Sequence, residues 1–199
     1  MLKIALTGGI ATGKSHVLGE LRRRGVPCLD ADALAHGVTA AGTEATHAIA
    51  SRFGPDVIAA DGSVDRQNLG PIVFANDQAR RDLEAIVHPA VYRAITAGLR
   101  AFELMGEPLA VVDVPLLFET DRQSDFDRVI VTAAPVAVQI DRLAARGIGE
   151  ADARRRIAAQ RPTDEKAFRA DFVIRTDGTM EETDRQVDEI VASLRGWSA

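Results

Sequence analysis

The sequence predicts an α/β fold with a five-stranded parallel sheet flanked by helices. Short apolar runs of strand length alternate along the chain with longer segments whose apolar residues recur at helical spacing. The first two runs enclose one helix, and such a strand–helix–strand unit is parallel and right-handed. The 199 residues, 46% hydrophobic and 27% charged, suit a single globular domain with a full core.

The first strand, about residues 2–7, leads directly into a phosphate-binding loop pattern. Gly8 is followed by four residues and then by Gly13, Lys14 and Ser15, which fill every fixed position of the motif. Glycines let the backbone turn so that successive N–H groups face one anion, while the lysine and serine reach the outer phosphates and Mg²⁺. The helix that begins there directs its positive dipole end at the same anion. The loop predicts a nucleotide site.

Two carboxylates follow the second predicted strand, residues 26–29, after a helix that ends at Gly25. Ligands of open α/β sheets bind at the carboxyl ends of the strands, so Asp30 and Asp32 are candidates for a base near the loop. Capping of the next helix, residues 33–38, is the alternative role for either aspartate.

A helical segment is predicted between the second and third strands, at about residues 33–106. It comprises helices at 43–53 and 67–74, a small hairpin at 57–64 with its turn at Asp61-Gly62, and a long helix at 78–105. The long helix is expected to break or bend near His88-Pro89. His88 and Arg93 are the polar residues in this segment that a solvent-exposed helix face does not simply explain, so they are candidates for a functional role. A single histidine, however, is more often structural.

The third strand, about residues 109–112, is apolar throughout and ends in Asp113. Such a run suits a strand covered on both faces and places Asp113 beside the loop, where it could hold Mg²⁺ or its water. A capping or turn role is the alternative. A fourth strand at 129–132 precedes a helix at 136–146, on which Gln139, Arg142 and Arg146 share one face. Aligned arginines suit a transferring phosphoryl group.

Residues 147–169 are predicted to form a small lid. Glycines precede a short basic helix at 150–160 and Pro162 follows it, which allows the segment to close over phosphates and exclude water. A solvated charged helix is the alternative for Arg154 and Arg155, and Lys166 is equally ambiguous. A fifth strand at 171–175, a turn at 176–178 and a helix at 180–194 complete a core formed by residues 1–32, 107–146 and 170–199.

Composition excludes several classes of protein. The net charge of −5 argues against a broad basic surface for nucleic acid, and no apolar stretch approaches the length of a membrane helix. The single cysteine, Cys28, cannot form an internal disulfide and suits a core position. Because the N-terminus also lacks signal-peptide features, we expect a cytoplasmic protein without nucleic-acid or membrane partners, monomeric or weakly oligomeric.

The remaining features favour a kinase of the phosphate-loop class that acts on a small molecule. The Asn-Lys-x-Asp stretch and the Asp-x-x-Gly switch of a GTPase are not found, since Asp113 is followed by Val-Pro-Leu. Acidic residues near the loop and an arginine-bearing lid suit phosphoryl transfer, in which positioning and charge neutralisation dominate. A different small-molecule kinase, nucleotide or shikimate-type, and a regulatory protein that binds ATP without turnover stay open as alternatives.

Seven stretches of the chain resemble bacterial dephospho-CoA kinases in order and spacing. They are residues 7–15, 30–32, 88–89, 115–119, 139–146, 156–160 and 170–174, and the resemblance covers essentially the whole chain. The Gly-Gly-Ile loop followed by Asp-Ala-Asp is more specific than the phosphate loop alone. The resemblance implies transfer of the ATP γ-phosphate to the ribose 3′-hydroxyl of dephospho-coenzyme A, the last step of coenzyme A synthesis, with Mg²⁺ as cofactor.

The resemblance also implies roles for individual residues. Asp32 would be the general base, with Asp30, His88 and Arg93 contacting the acceptor. Arg142 and Arg146 would act on the phosphates together with Lys14 of the loop. For the metal, the loop motif and the end of the third strand already indicate Ser15 and Asp113. The residues expected to bind ATP are Gly8, Gly9, Ala11, Thr12, Gly13, Lys14, Ser15 and His16.

The sequence departs from the family pattern in three places: the Ala11-Thr12 pair, His16, and Thr176 in the turn after the fifth strand. Ala11 is a mild change if the backbone there does not require a positive φ. Thr176 puts a contact of that turn with adenine in doubt.

Overall fold

The computed structural model describes residues 1–197 and contains the predicted five-stranded sheet. The strand order is β2-β3-β1-β4-β5. The strands are β1 Leu2–Gly8, β2 Cys28–Asp30, β3 Leu109–Asp113, β4 Arg128–Ala133 and β5 Phe172–Arg175. The predicted α/β fold is therefore confirmed, with β2 starting two residues later than expected.

The central strand β1 determines which residues surround the phosphate loop. It pairs in parallel with β3, where Leu6 faces Asp113, and with β4, where Gly8 faces Thr132. The carboxyl ends of parallel strands meet at one edge of the sheet, so the loop emerges between Asp113 and Thr132.

The helices agree with the predicted ones to within about three residues at each end, with one addition. They are α1 Lys14–Arg23, α2 Ala31–Val38, α3 Glu44–Phe53, α4 Arg66–Ala75, α5 Asp77–Leu104, α6 Val136–Ala144, α7 Glu150–Ala158, α8 Thr163–Phe168 and α9 Met180–Trp197. The short helix α8 was not predicted from the sequence.

Helix α1 forms for the reasons that the sequence suggests. Val17, Leu18 and Leu21 are buried on one face and join the main core with residues of the strands and of α9. Gly25 ends the helix at φ 73°, and its N–H donates to the Arg22 carbonyl oxygen at 3.0 Å. A left-handed residue at this position is the usual helix terminator.

The chain divides into two compact units. The sheet unit comprises Met1–Leu29 and the chain from Ala101 onward, and the helical unit is Asp30–Arg100. The helical unit has its own core, formed by Ile49, Val57, Val64 and Leu69. Short apolar helices that bury a common face explain why this segment folds without sheet.

Within the helical unit, the hairpin is smaller than expected, and the break that was one of two possibilities for the long helix is absent. The predicted hairpin at 57–64 is reduced to a single antiparallel bridge between Ile58 and Val64, with Gly62 at φ 83° in the turn. Helix α5 continues without interruption through Pro89. Proline removes one backbone donor, but the turns on both sides keep their own hydrogen bonds, and the helix persists. No helix among residues 1–197 is long and apolar enough to span a bilayer.

Candidate active site

The phosphate loop adopts a backbone that depends on small residues. A side chain on Gly8 would meet Thr12 Oγ1 at 2.6 Å, and Gly13 adopts φ 81° at the start of α1. Ala11 also has a positive φ, 58°. The condition under which Ala11 would be a mild departure is therefore not met. The residue is strained by about 1–2 kcal/mol relative to glycine.

Hydrogen bonds of three threonines, Thr12, Thr132 and Thr176, hold the backbone of the loop in place. Thr12 Oγ1 lies 2.7 Å from both the Gly9 carbonyl oxygen and Thr132 Oγ1. Thr176 Oγ1 donates to the Thr12 carbonyl oxygen at 2.9 Å. The departure at Thr176 thus has a structural role, because its hydroxyl joins the turn after β5 to the loop.

Lys14 and Asp113 contact each other at the mouth of the loop. The Lys14 ammonium pairs with Asp113 Oδ1, and the Asp113 side chain is only 7% exposed. Ser15 is exposed in the first turn of α1. Carboxylate and hydroxyl oxygens are the hard donors that Mg²⁺ takes, so these side chains suit the metal predicted here.

The two predicted phosphate arginines differ in what they contact. Arg142 donates from Nη1 to the Ala11 carbonyl oxygen and to Thr176 Oγ1, both at 3.1 Å, and from Nη2 to the Thr176 carbonyl oxygen. Its guanidinium therefore holds the loop to the turn after β5. Arg146 is exposed, and among the described residues its side chain has no recorded ion pair.

Two glutamines beside the loop were missed as site residues. Gln160 Oε1 accepts the Ile10 N–H at 2.8 Å and so joins the end of α7 to the loop. Gln139, 1% exposed, donates to the Ala134 carbonyl oxygen at 2.9 Å. Both glutamines lie in stretches that carried the family resemblance, which was the signal available for them.

The predicted lid contains α7 and α8. Arg154 pairs with Glu150, while Arg155 and Arg156 pair with Asp152, all within α7. These exposed pairs favour the solvated-helix interpretation for Arg154 and Arg155. Lys166 differs, because it is fully buried and its Nζ lies 2.6 Å from Glu119 Oε1.

The His16 ring contacts a carboxylate of α9. Its Nε2 lies 2.7 Å from Asp184 Oδ1 on α9, and Glu20 completes a group whose ligand atoms lie within 4.8 Å of one another. Arg23 and Arg24 both pair with Glu20, and hydrogen bonding from Arg23 holds the pKa of this carboxyl below its usual value. The arginines already neutralise the group, so it is a poor metal site.

In the helical unit, Asp30, the last residue of β2, and Asp32 take different roles. Asp30 Oδ1 accepts the backbone N–H groups of Asp32 at 2.9 Å and Ala33 at 3.0 Å, so Asp30 caps α2. The Asp32 carboxylate is exposed, and no partner for it is recorded within residues 1–197. Asp32 is thus the one whose carboxylate is available for chemistry.

His88 and Arg93 both lie on α5 and are exposed. Five residues along a continuous helix separate two side chains by roughly 140°. The pair therefore does not share one face. Arg93 turns instead toward Glu44 of α3, with Nη2 3.1 Å from Oε2.

Comparison with known proteins gives consistent matches. The family model described as dephospho-CoA kinase matches residues 2–182. A curated dephospho-CoA kinase from Anaeromyxobacter dehalogenans is 49% identical over 98% of this chain and 93% of its own length. The crystal structure of TT1252 from Thermus thermophilus has a TM-score of 0.82 and 34% identity over 97% of both chains. Dephospho-CoA kinase from Campylobacter jejuni shares the fold, with a TM-score of 0.76 and 23% identity over 99% of this chain and 98% of its own.

Proposed function

Since the chain belongs to the dephospho-CoA kinase family, it phosphorylates dephospho-CoA in the final step of coenzyme A synthesis, and we propose that Asp32, Lys14 and the loop carry out this transfer from ATP. The observation that carries the proposal is the complete phosphate loop at the end of β1, with Lys14 against Asp113 at its mouth. A motor or switch would need further elements to couple nucleotide hydrolysis to movement, whereas a kinase needs only a positioned acceptor.

The Lys14–Asp113 pair suggests how the loop is held before nucleotide binds. The carboxylate keeps the ammonium next to the loop, and we propose that the phosphates draw Lys14 away from it on binding. Asp113 and Ser15 are then the residues that would hold Mg²⁺. The metal, when bound, neutralises charge on the phosphates.

The arginines on α6 divide between two tasks in this proposal. Arg142 positions the loop, because its donors are engaged by the carbonyl oxygens of Ala11 and Thr176. Arg146 is the arginine whose charge is available to the transferred phosphoryl group. Gly9, Thr12, Gly13 and their neighbours bind ATP through the backbone. The His16 ring contacts Asp184, so His16 is proposed to bind ATP through its backbone N–H.

Asp32 is proposed as the general base toward the 3′-hydroxyl. Its carboxylate is exposed and unpartnered within residues 1–197, whereas Asp30 uses one oxygen to cap the helix. Asp30, His88 and Arg93 are proposed to contact the acceptor. For Arg93 the attraction to an anionic acceptor competes with its ion pair to Glu44, whose side chain is 87% exposed and easily displaced.

The proposal is tested by ADP release with dephospho-CoA, AMP, CMP, shikimate or no acceptor, in wild type and in Asp32→Asn. Turnover with dephospho-CoA alone is expected, and Asp32→Asn should reduce kcat by roughly 10²-fold or more with ATP affinity unchanged. Asp77→Asn is the matched control, because Asp77 also lies in the first turn of a helix. Equal turnover in Asp32→Asn and Asp77→Asn would refute the role of Asp32.

The cytoplasmic location, the lack of nucleic-acid and membrane partners, the monomeric or weakly oligomeric state and closure of the lid at 147–169 stay predictions from the sequence.

A further inference from the structure

A cavity of about 380 Å³ lies beside the phosphate loop in the sheet unit, and Gly9 is the one lining residue to which the proposed function gives a role. Its wall is partly apolar. It is lined by Gly9 of the loop, by residues after β4, by Gln139 of α6 and by the segment that joins α7 to α8. The volume is sufficient for a pentose ring.

Gln139 presents an acceptor without a partner to this cavity. The side chain is 1% exposed, and its Oε1 has no hydrogen-bond partner within residues 1–197. The Nε2 group donates to the Ala134 carbonyl oxygen at 2.9 Å, which fixes the orientation of the amide, because a flipped amide would place two carbonyl oxygens together. A buried acceptor left unpaired is costly, so a ligand donor is expected at Oε1.

Thr163 supplies the complementary group. Its Oγ1 accepts a hydrogen bond from Gln139 Nε2 at 3.3 Å. Within the described part of the chain, no acceptor is recorded for the hydroxyl proton of Thr163. One acceptor and one donor thus lie side by side, which is the arrangement that binds a neutral hydroxyl group. A phosphate without a proton carries only acceptors, so it offers no donor to the Gln139 carbonyl oxygen.

The position of the pair next to Gly9 indicates which hydroxyl it binds. A Cβ placed on Gly9 would lie 2.7 Å from Thr163 Oγ1 and 3.5 Å from Gln139 Oε1, so both oxygens face the loop backbone. The part of the acceptor that must approach the loop is the ribose that receives the phosphoryl group. Its 3′-hydroxyl is the nucleophile, which leaves the neighbouring 2′-hydroxyl for binding.

We propose that Gln139 and Thr163 bind the ribose 2′-hydroxyl of the acceptor and so determine which of the two vicinal hydroxyls is phosphorylated. The proposal rests on the proposed function. The 2′-hydroxyl donates to Gln139 Oε1 and accepts from the Thr163 hydroxyl. With the 2′-oxygen held in this way, only the 3′-oxygen is free to be aligned with the γ-phosphate.

The experiment compares kcat/KM for dephospho-CoA and its 2′-deoxy analogue. Wild type is expected to prefer the natural acceptor by about 10-fold or more, because the analogue leaves both protein groups unpaired. In Thr163→Val, which removes the hydroxyl at constant shape, the preference should fall to about threefold or less. Thr163→Ser is the matched control and should keep the preference. Gln139→Leu should also lose it, and Thr163→Val serves alone if that variant does not fold.

The outcomes separate this inference from the proposed function. Normal turnover of dephospho-CoA with no preference over the analogue, or an equal preference in Thr163→Val, would overturn the inference alone. If kcat/KM falls with 2′-deoxyATP in place of ATP but not with the 2′-deoxy acceptor, Gln139 and Thr163 bind the ribose of ATP. That result would also overturn the inference. Absence of turnover with dephospho-CoA in wild type would overturn the proposed function and this inference together.

Discussion

Replacing Lys166 by methionine should destabilise the protein by about 3 kcal/mol, because it removes one partner of a buried ion pair. Lys166 is fully buried on α8, and its Nζ lies 2.6 Å from Glu119 Oε1. Glu119 is 18% exposed and also accepts the Arg161 backbone N–H at 3.0 Å. These two features keep the expected loss at the lower end of the usual range of about 3–5 kcal/mol, since the remaining carboxylate keeps a hydrogen bond and some water.

The reverse change, Glu119→Gln, leaves a wholly buried ammonium without its carboxylate and should cost at least as much. The double variant Lys166→Met with Glu119→Gln should lose only about 1–2 kcal/mol, because neither charge is then left unpaired. The two single losses sum to about 6 kcal/mol, so the expected coupling is at least about 4 kcal/mol.

Urea unfolding of the four proteins gives these free energies from the transition midpoints, provided that the m values agree. If the two single changes add to within about 0.5 kcal/mol in the double variant, the buried pair does not act as a unit and the reasoning is refuted. The same variants should lose turnover at temperatures where they stay folded, because α8 carries Thr163 into the cavity beside the loop.

Further predictions follow from the loop, the cap, the metal and one carboxylate. Ala11→Gly should change stability by no more than about 1 kcal/mol, whereas Ala11→Val should cost about 2–4 kcal/mol by thermal unfolding, because a branched side chain is placed at φ 58° in a buried position. Asp30→Ala should cost about 1 kcal/mol in the same assay and Asp30→Asn little, since asparagine also caps a helix. Chelation with EDTA should abolish ADP release, and added Mg²⁺ should restore it. Hydrogen bonding from Arg23 lowers the pKa of Glu20 on folding, so the stabilisation by this carboxylate is present above its unfolded pKa and is lost as the pH falls through its folded pKa. Lowering the pH from 7 to 3 should therefore reduce the free energy of unfolding less in Glu20→Gln than in wild type, as unfolding measured at each pH would show.

The loop and the sheet could be predicted from the sequence because their signals are local. Gly8, Gly13, Lys14 and Ser15 form the motif within one short stretch, and each buried strand reads as a run of apolar residues. The order of the strands around β1 was not predicted, because parallel connections fix the handedness of each crossover and not the strand order. Asp30 and Asp32 were both recognised as candidates from the sequence. The coordinates show that Asp30 caps the helix and leave the Asp32 carboxylate for chemistry.

The parts that sequence reasoning missed depend on contacts between residues far apart in the chain. Helix α8 has only six residues, and the ion pair of Lys166 with Glu119 lies 47 positions apart in sequence, where no periodic pattern could indicate it. The strain at Ala11 is invisible without backbone angles. The unpaired Oε1 of Gln139 becomes evident only in the structure, where the Nε2 group donates to Ala134 and Thr163 and so fixes the orientation of the amide.

The contacts of Arg142 and Thr176 bear on when during synthesis the loop takes shape. The loop is encoded within the first fifteen residues, yet its carbonyl oxygens at Ala11 and Thr12 are held by Arg142 and by Thr176. A chain that is still growing lacks the Arg142 contact until residue 142 has left the ribosome, and it lacks the Thr176 contact until residue 176 has done so. Nucleotide affinity should therefore arise late in translation, so that partly made chains do not sequester ATP before the rest of the sheet is present.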